Sequence, residues 1–181
     1  MLNLAINREY GHSLRATWID VKKAFDSVEH EYLVACISKL GLSKRITCFL
    51  KEIIFKWNLK VKAGLETIFS KKVERGILQS DSLSQLFFVL CIDLLSRRLN
   101  ERYPKVVVHA EEASHATNHL LFIDDLKLLS KDRIVMNSMV EEAESFFSGI
   151  GLEINRDKSA TNDPLCEETS VYSMMQVFIN T

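Results

Sequence analysis

Two adjacent carboxylates, Asp124 and Asp125, sit inside His119-Leu120-Leu121-Phe122-Ile123-Asp124-Asp125-Leu126-Lys127-Leu128-Leu129. Neighbouring negative charges repel, and carboxylates resist leaving water. The apolar residues on either side read as β-strands, which sets the pair at the tip of a tight hairpin. Aspartate favours turns because its side chain bonds its own backbone, so a polar turn is the simpler reading of this stretch alone. The chemical alternative is a cation held by the carboxylates. Asp20 bears on that choice, because it ends a second apolar stretch, Ala16-Thr17-Trp18-Ile19-Asp20-Val21. If the two stretches are neighbours in one sheet, three carboxylates converge at one edge. Hard oxygen donors of this kind suit Mg²⁺, which keeps its waters and takes one or two carboxylates plus substrate phosphates. Two such ions activate the attacking oxygen and stabilise the leaving oxygen in phosphoryl transfer. Periodicity leaves a dispersed set of surface aspartates open.

The elements that must position these residues follow from hydrophobic spacing. The strand ending at Asp20 is followed by a tight crossover, Lys22 to Ser27, in which Asp26 or Ser27 can cap the next helix. That helix runs to about Leu40, with Leu33, Ile37 and Leu40 on one face, and Gly41 stops it. From Lys44 to Trp57, Ile46, Phe49, Leu50, Ile53, Ile54 and Trp57 recur at helical spacing. Leu59, Val61 and Ala63 then alternate with Lys60 and Lys62, and Thr67–Val73 reads as the hairpin partner. The lysine face of this hairpin suits solvent or a nucleic-acid backbone. Arg75 to Ser82 is a loop. The helix from Ser84 to about Asn100 is apolar on nearly every side at first, which predicts a central, buried helix, with Arg97 and Arg98 in its last turn. Val106–Val108 is a short strand and Glu111–Thr117 a surface loop. After the aspartate hairpin come an amphipathic helix, Arg133 to about Ile150, a short strand, Leu152–Asn155, and a turn to Lys158. The order suits an α+β sandwich with a mainly antiparallel sheet.

Composition narrows the classes. The chain has 181 residues, 47% of them hydrophobic, enough for one domain with a core. No stretch reaches the ~18 apolar residues of a membrane span. The first residues lack a basic start and apolar block, so no secretory signal is read. Four scattered cysteines (Cys36, Cys48, Cys91, Cys166) indicate neither zinc nor a disulfide framework. The first three read as small core residues in a reducing, intracellular setting, nuclear or cytoplasmic. The net charge of -1 hides an asymmetry. Residues 1–75 carry 14 Lys/Arg against 8 Asp/Glu, whereas residues 132–181 carry 3 against 9. A basic half can face phosphates.

Four segments, in order, carry a resemblance. Trp18-Ile19-Asp20-Val21-Lys22-Lys23-Ala24-Phe25-Asp26-Ser27-Val28 is similar to hDxxKAFDSV. Arg75-Gly76-Ile77-Leu78-Gln79-Ser80-Asp81-Ser82-Leu83-Ser84-Gln85-Leu86-Phe87-Phe88 is similar to RGxxQGDSLSPLLF. Phe122-Ile123-Asp124-Asp125 is similar to the F/Y-x-D-D box, and Gly151-Leu152-Glu153-Ile154-Asn155-Arg156-Asp157-Lys158-Ser159 to GLxINxxKS. Together they resemble the palm of the reverse transcriptases of non-LTR (LINE-like) retrotransposons.

The resemblance implies a polymerase palm, an antiparallel sheet covered by helices on one face, over residues 1–163. Residues 164–181 would be a tail or the start of a thumb, with fingers and thumb largely missing. It implies RNA-directed DNA synthesis by two-metal nucleotidyl transfer, on an RNA template with a DNA primer and deoxynucleoside triphosphates. Asp20 and Asp124 would hold two Mg²⁺ ions (Mn²⁺ as substitute), with Asp125 as the third carboxylate. Lys158 would lie near the triphosphate. Phe25 would stack under the incoming sugar, Gln79 would contact the nucleotide, and Arg75 and Lys22 would neighbour its phosphates. Three positions depart from the pattern. Ser80 replaces Gly and is expected to narrow the cleft. Gln85 replaces Pro at a helix start. Ile123 stands where a small residue is common. With so little chain around the motifs, synthesis by this chain alone is expected to be weak or absent. The alternative is a non-catalytic RNA-binding module, or a retroelement remnant, that keeps the palm scaffold. A palm-type nucleotidyl cyclase is disfavoured by the KAFDSV and QxDSLS segments.

Overall fold

The computed structural model describes residues 14–78, 82–109 and 114–162. Gln79, Ser80 and the tail expected at 164–181 lie outside the described residues. In chain order the elements are β1 (Arg15–Ile19), β2 (Val21–Lys22), α1 (Ala24–Ser27), α2 (His30–Ser38), α3 (Lys44–Phe55), β3 (Asn58–Ala63) and β4 (Glu66–Lys72). They continue as α4 (Ser84–Arg102), β5 (Val106–His109), β6 (Ser114–Thr117), β7 (His119–Phe122), β8 (Asp125–Ser130), α5 (Arg133–Gly149), β9 (Glu153–Ile154) and β10 (Ala160–Thr161). The chain divides into two compact units, one of residues 1–22 with 93–181 and one of residues 23–92.

The first unit is built on a four-stranded antiparallel sheet in the order β10-β1-β8-β7. Period-two alternation along β1 and β8 separates two faces. Thr17 pairs with Leu128 and Ile19 with Leu126, and Ile19, Leu126 and Leu128 are buried. Helix α5 packs on β1 and β8, burying Met136, Met139, Ala143, Phe146 and Phe147. Its start is fixed by Asp132, whose carboxylate accepts from the amides of Ile134 (2.7 Å) and Val135 (3.1 Å). On the other face Leu14, Ala16, Val106 and Leu129 form a small core, with Trp18 and Leu120 against it. Arg98 and Arg102 pair with the largely buried Glu142, tying α4 to α5.

The second unit packs α1, α2 and α3 with the start of α4 and buries Leu33, Ile37, Ile54, Trp57, Phe87 and Phe88. The β3–β4 hairpin extends from it with every residue exposed.

Several expectations need correction. Asp26 and Ser27 do not cap α2. They lie inside the extra turn α1, and Glu29 precedes α2 without a side-chain cap bond. Helix α4 is not apolar-buried on every side: Leu86 and Val89 are exposed, while Phe87, Phe88, Cys91 and Ile92 are buried. It also runs on to Arg102, so Arg97 lies a turn from the end and pairs with Asp93. Residues 114–117 form β6, paired with β5, where a loop was expected. Cys48 is exposed, not a core residue. Only the C-terminal half of α3 is covered, so Ile46 (48%) and Phe49 (62%) stay exposed despite their helical spacing.

Candidate active site

The sheet register brings the predicted carboxylates together. Ile19 faces Leu126 across β1 and β8. Asp20 directly follows Ile19 at the end of β1, and Asp125 directly precedes Leu126 at the start of β8. Asp125 in turn pairs with Phe122, closing the β7–β8 hairpin over a two-residue turn, Ile123-Asp124. The turn is why the two aspartates differ: Asp124 is at its tip and Asp125 begins β8. Partial desolvation holds the Asp125 carboxyl above the usual carboxylate range, and the negative charges of Asp124 and then Asp20 push the same way. Asp125 is thus the carboxylate on which the charges of both other aspartates act. Ile123, β-branched, sits at φ 59°, in the left-handed region that such residues avoid.

Asp20 is held from the side by the fourth segment. Its backbone amide donates to Ser159 Oγ (3.1 Å), its carbonyl accepts from the Asn155 amide (2.8 Å), and Ser159 Oγ donates to the Asn155 carbonyl (2.8 Å). The turn 156–158 is thereby anchored beside β1, and Lys158 on it is exposed. Asn162 fastens the start of β1: its Oδ1 accepts from the Ala16 amide (2.7 Å), and its amide donates to the Ala16 carbonyl (3.0 Å). Lys22, expected beside phosphates, is ion-paired with Glu153 across β2 and β9. Asn155 and Ser159 lie within the fourth segment, and their task comes from these hydrogen bonds. Their signal was a polar pair four residues apart flanking a turn.

In the second unit the first and second segments are laced together. Arg75 Nε donates to the Ser27 carbonyl (2.7 Å), the Gly76 amide to Val28 (2.7 Å) and the Ile77 amide to Phe25 (2.7 Å). Gly76 is required there. It has φ 91°, and a Cβ on it would lie 2.8 Å from the Asp26 carbonyl oxygen. Buried His30, which sequence reasoning passed over, bonds the Gly76 carbonyl through Nε2 (2.8 Å). Phe25, expected to lie under a sugar, stacks on Phe88 with ring centroids 4.8 Å apart. Arg75, expected beside phosphates, is half-exposed and also faces Glu29 at 3.9 Å.

The comparisons decide the family. The reverse transcriptase (RNA-dependent DNA polymerase) family model matches residues 4–165. The chain belongs to the reverse transcriptase family. It is similar to the retrovirus-related Pol polyprotein of the type-1 retrotransposable element R2 of Nasonia vitripennis, 31% identical over 147 residues, covering 79% of this chain and 14% of that protein. The R2 Pol polyprotein of Popillia japonica is 27% identical, covering 87% of this chain and 26% of the relative. That of the type-2 element R2DM of Drosophila melanogaster is 26% identical, covering 89% and 15%. The reverse transcriptase domain thus spans about a quarter or less of these relatives. Among solved structures, telomerase from Candida albicans superposes with TM-score 0.66 at 14% identity, covering 84% of this chain and 27% of that one. Apo telomerase from Candida tropicalis gives 0.63 at 11% identity, covering 92% and 31%. These likenesses show the palm-type fold of a reverse transcriptase.

Polymerases of this family work with divalent metal ions. The residue types suit such ions: carboxylates are hard oxygen donors, and a cation would relieve the charge that Asp124 and Asp20 place on Asp125. Among the described residues, no three His, Cys, Asp or Glu side chains already stand at metal-holding distance of one another. No described helix is long and apolar enough to cross a membrane.

A buried polar cluster supports the hairpin from behind. Asn118, fully buried, donates through Nδ2 to the carbonyls of Leu99 (2.7 Å) and Tyr103 (3.0 Å) at the end of α4. Carbonyls only accept, so this fixes the amide orientation and turns Oδ1 toward His119 Nδ1 (2.7 Å). His119 therefore carries its proton on Nδ1 and accepts from Ser96 Oγ at Nε2 (2.8 Å). Burial lowers the His119 pKa, and Lys105 adds to the effect.

Proposed function

We propose that this reverse transcriptase domain carries the nucleotidyl-transfer site for RNA-templated DNA synthesis, acting inside the cell, nuclear or cytoplasmic. One observation carries the reading: Asp20 at the end of β1 and Asp124-Asp125 at the neighbouring hairpin turn share a single electrostatic environment. Asp20 and Asp124 would hold two Mg²⁺ ions, or Mn²⁺ in their place, with Asp125 as the supporting carboxylate. Bound there, such ions supply activation of the attacking oxygen and charge stabilisation of the leaving one. The chain's own residues do the rest. Ser159 and Asn155 hold Asp20 in register, and Lys158 neutralises or protonates the departing pyrophosphate. Phe25 and Gln79 contact the incoming nucleotide, and Lys22 and Arg75 meet its phosphates once freed from Glu153 and Glu29. The primer 3′-hydroxyl attacks the α-phosphate of a deoxynucleoside triphosphate paired to the RNA template. The palm unit is taken as residues 1–163, with 164–181 beyond it.

A second reading, a palm scaffold that binds RNA without catalysis, is favoured by the absence of a closed metal-holding group among the described residues. Incorporation of labelled dTTP on poly(rA)/oligo(dT) with Mg²⁺ separates the two. The polymerase reading expects incorporation, weak from this chain alone, that falls about 100-fold or more in Asp124→Asn, since losing a metal clamp removes several kcal/mol of transition-state stabilisation. RNA binding without incorporation, indifferent to Mg²⁺ and to Asp124→Asn, would contradict it.

A further inference from the structure

The β3–β4 hairpin carries four lysines, Lys60, Lys62, Lys71 and Lys72, that the proposed palm site does not use. The register assigns its faces. Asn58 pairs with Lys72, Lys60 with Ser70 and Lys62 with Thr67, so these six residues share one face. A bulge between Val61 and Lys62 keeps the alternation in phase. The opposite face carries Leu59, Val61 and Ala63, paired with Lys71, Phe69 and Glu66. The hairpin's only carboxylate, Glu66, is thus kept off the Lys60–Lys62–Lys72 face. All thirteen strand residues are exposed, and none of these three lysines has a carboxylate partner among the described residues. Three ammonium groups beside the hydroxyls of Thr67 and Ser70 offer hydrogen-bond donors and positive charge to phosphodiester oxygens. Lys60 and Lys62 stand about 7 Å apart along the strand, near twice the ~3.4 Å rise per phosphate of one nucleic-acid strand.

We propose that the Lys60–Lys62–Lys72 face is a sequence-independent nucleic-acid backbone contact. The identity of the polyanion rests on the polymerase reading above. The contact itself needs neither metal nor nucleotide.

The test is fluorescence anisotropy of a labelled 20-nucleotide RNA, and of the same RNA paired to DNA, with the full chain, without Mg²⁺ or nucleotide, across a salt series. Lys60→Glu/Lys62→Glu/Lys72→Glu is expected to weaken binding about 10- to 100-fold near 0.1 M salt and to flatten the log–log salt slope by about 2. The Lys→Arg triple variant is expected to bind like the parent. Lys71→Glu, on the opposite face, is expected to cost under about 3-fold, one peripheral charge at most. Circular dichroism controls for folding. Equal losses from Lys71→Glu and from the triple variant would overturn the proposal. So would binding within two-fold of the parent with the triple variant self-associating, which would assign the lysines to guarding an open strand edge. Preference for vesicles of phosphatidylserine over RNA would overturn it in favour of a membrane surface. A parent that binds no RNA or hybrid would sink this contact together with the polymerase reading, whereas incorporation lost with binding retained would sink only the latter.

Discussion

At the scale of single residues, the site combines a constraint and a support. The constraint is Ile123, a β-branched residue at φ 59° in the turn between β7 and β8. Left-handed backbone costs such residues about 1–2 kcal/mol. Ile123→Gly removes that strain but adds chain entropy to the unfolded state. We predict a net gain of about 0.5–1 kcal/mol in urea unfolding; a loss of stability would contradict the assigned strain. Sequence alone flagged Ile123 as bulky but could not give its φ. The support is Ser159, whose hydroxyl accepts from Asp20 and donates to Asn155. The motif made its presence legible, but its task depends on a strand pairing that spacing cannot specify.

At the scale of elements, the hairpin is joined to α4 through Asn118, His119 and Ser96. Asn118→Ala would strip the Tyr103 carbonyl and one imidazole N–H of the Asn118 partner, while the Leu99 carbonyl keeps the Tyr103 amide. We predict a loss of about 2–4 kcal/mol by chemical denaturation, and a cost under about 1 kcal/mol would show the cluster to be dispensable. His119 adds a pH dependence. Its folded pKa lies below the ordinary 6.5, because burial disfavours the imidazolium. As pH falls through 6.5 the unfolded chain takes up a proton that the folded chain refuses, so stability declines until the folded pKa is passed. Above 6.5 the contribution is intact. Urea midpoints at pH 7.5 and 5.5 should therefore differ less in His119→Gln than in the parent. The strand and helix spans were largely legible, because β1, α3, the β3–β4 hairpin and α5 each keep one clean period. The misreadings share a cause. Burial of Ile46 and Phe49 and the pairing of β6 depend on partners distant in sequence, which a local pattern does not encode.

At the scale of the whole molecule, the reverse transcriptase assignment was carried by four ordered motifs, and the family match over residues 4–165 agrees with it. Division into two compact units was not legible, because α4 is one unbroken helix from Ser84 to Arg102 while the division falls within it, at residues 92 and 93. The convergence of Asp20 with Asp124 and Asp125 was only conditional in the sequence. The pairing of β1 with β8, Ile19 opposite Leu126, supplies the strand adjacency that this reading needs. The central claim, that these carboxylates form one divalent-metal site, can be tested without any polymerase activity. Fe²⁺ loaded in place of Mg²⁺, with ascorbate and peroxide, cuts the backbone near where it is bound. The account predicts cleavage clustered around residues 20 and 123–125, competed by excess Mg²⁺ and lost in Asp20→Asn/Asp124→Asn. Diffuse cleavage, or the same cuts in that double variant, would contradict it.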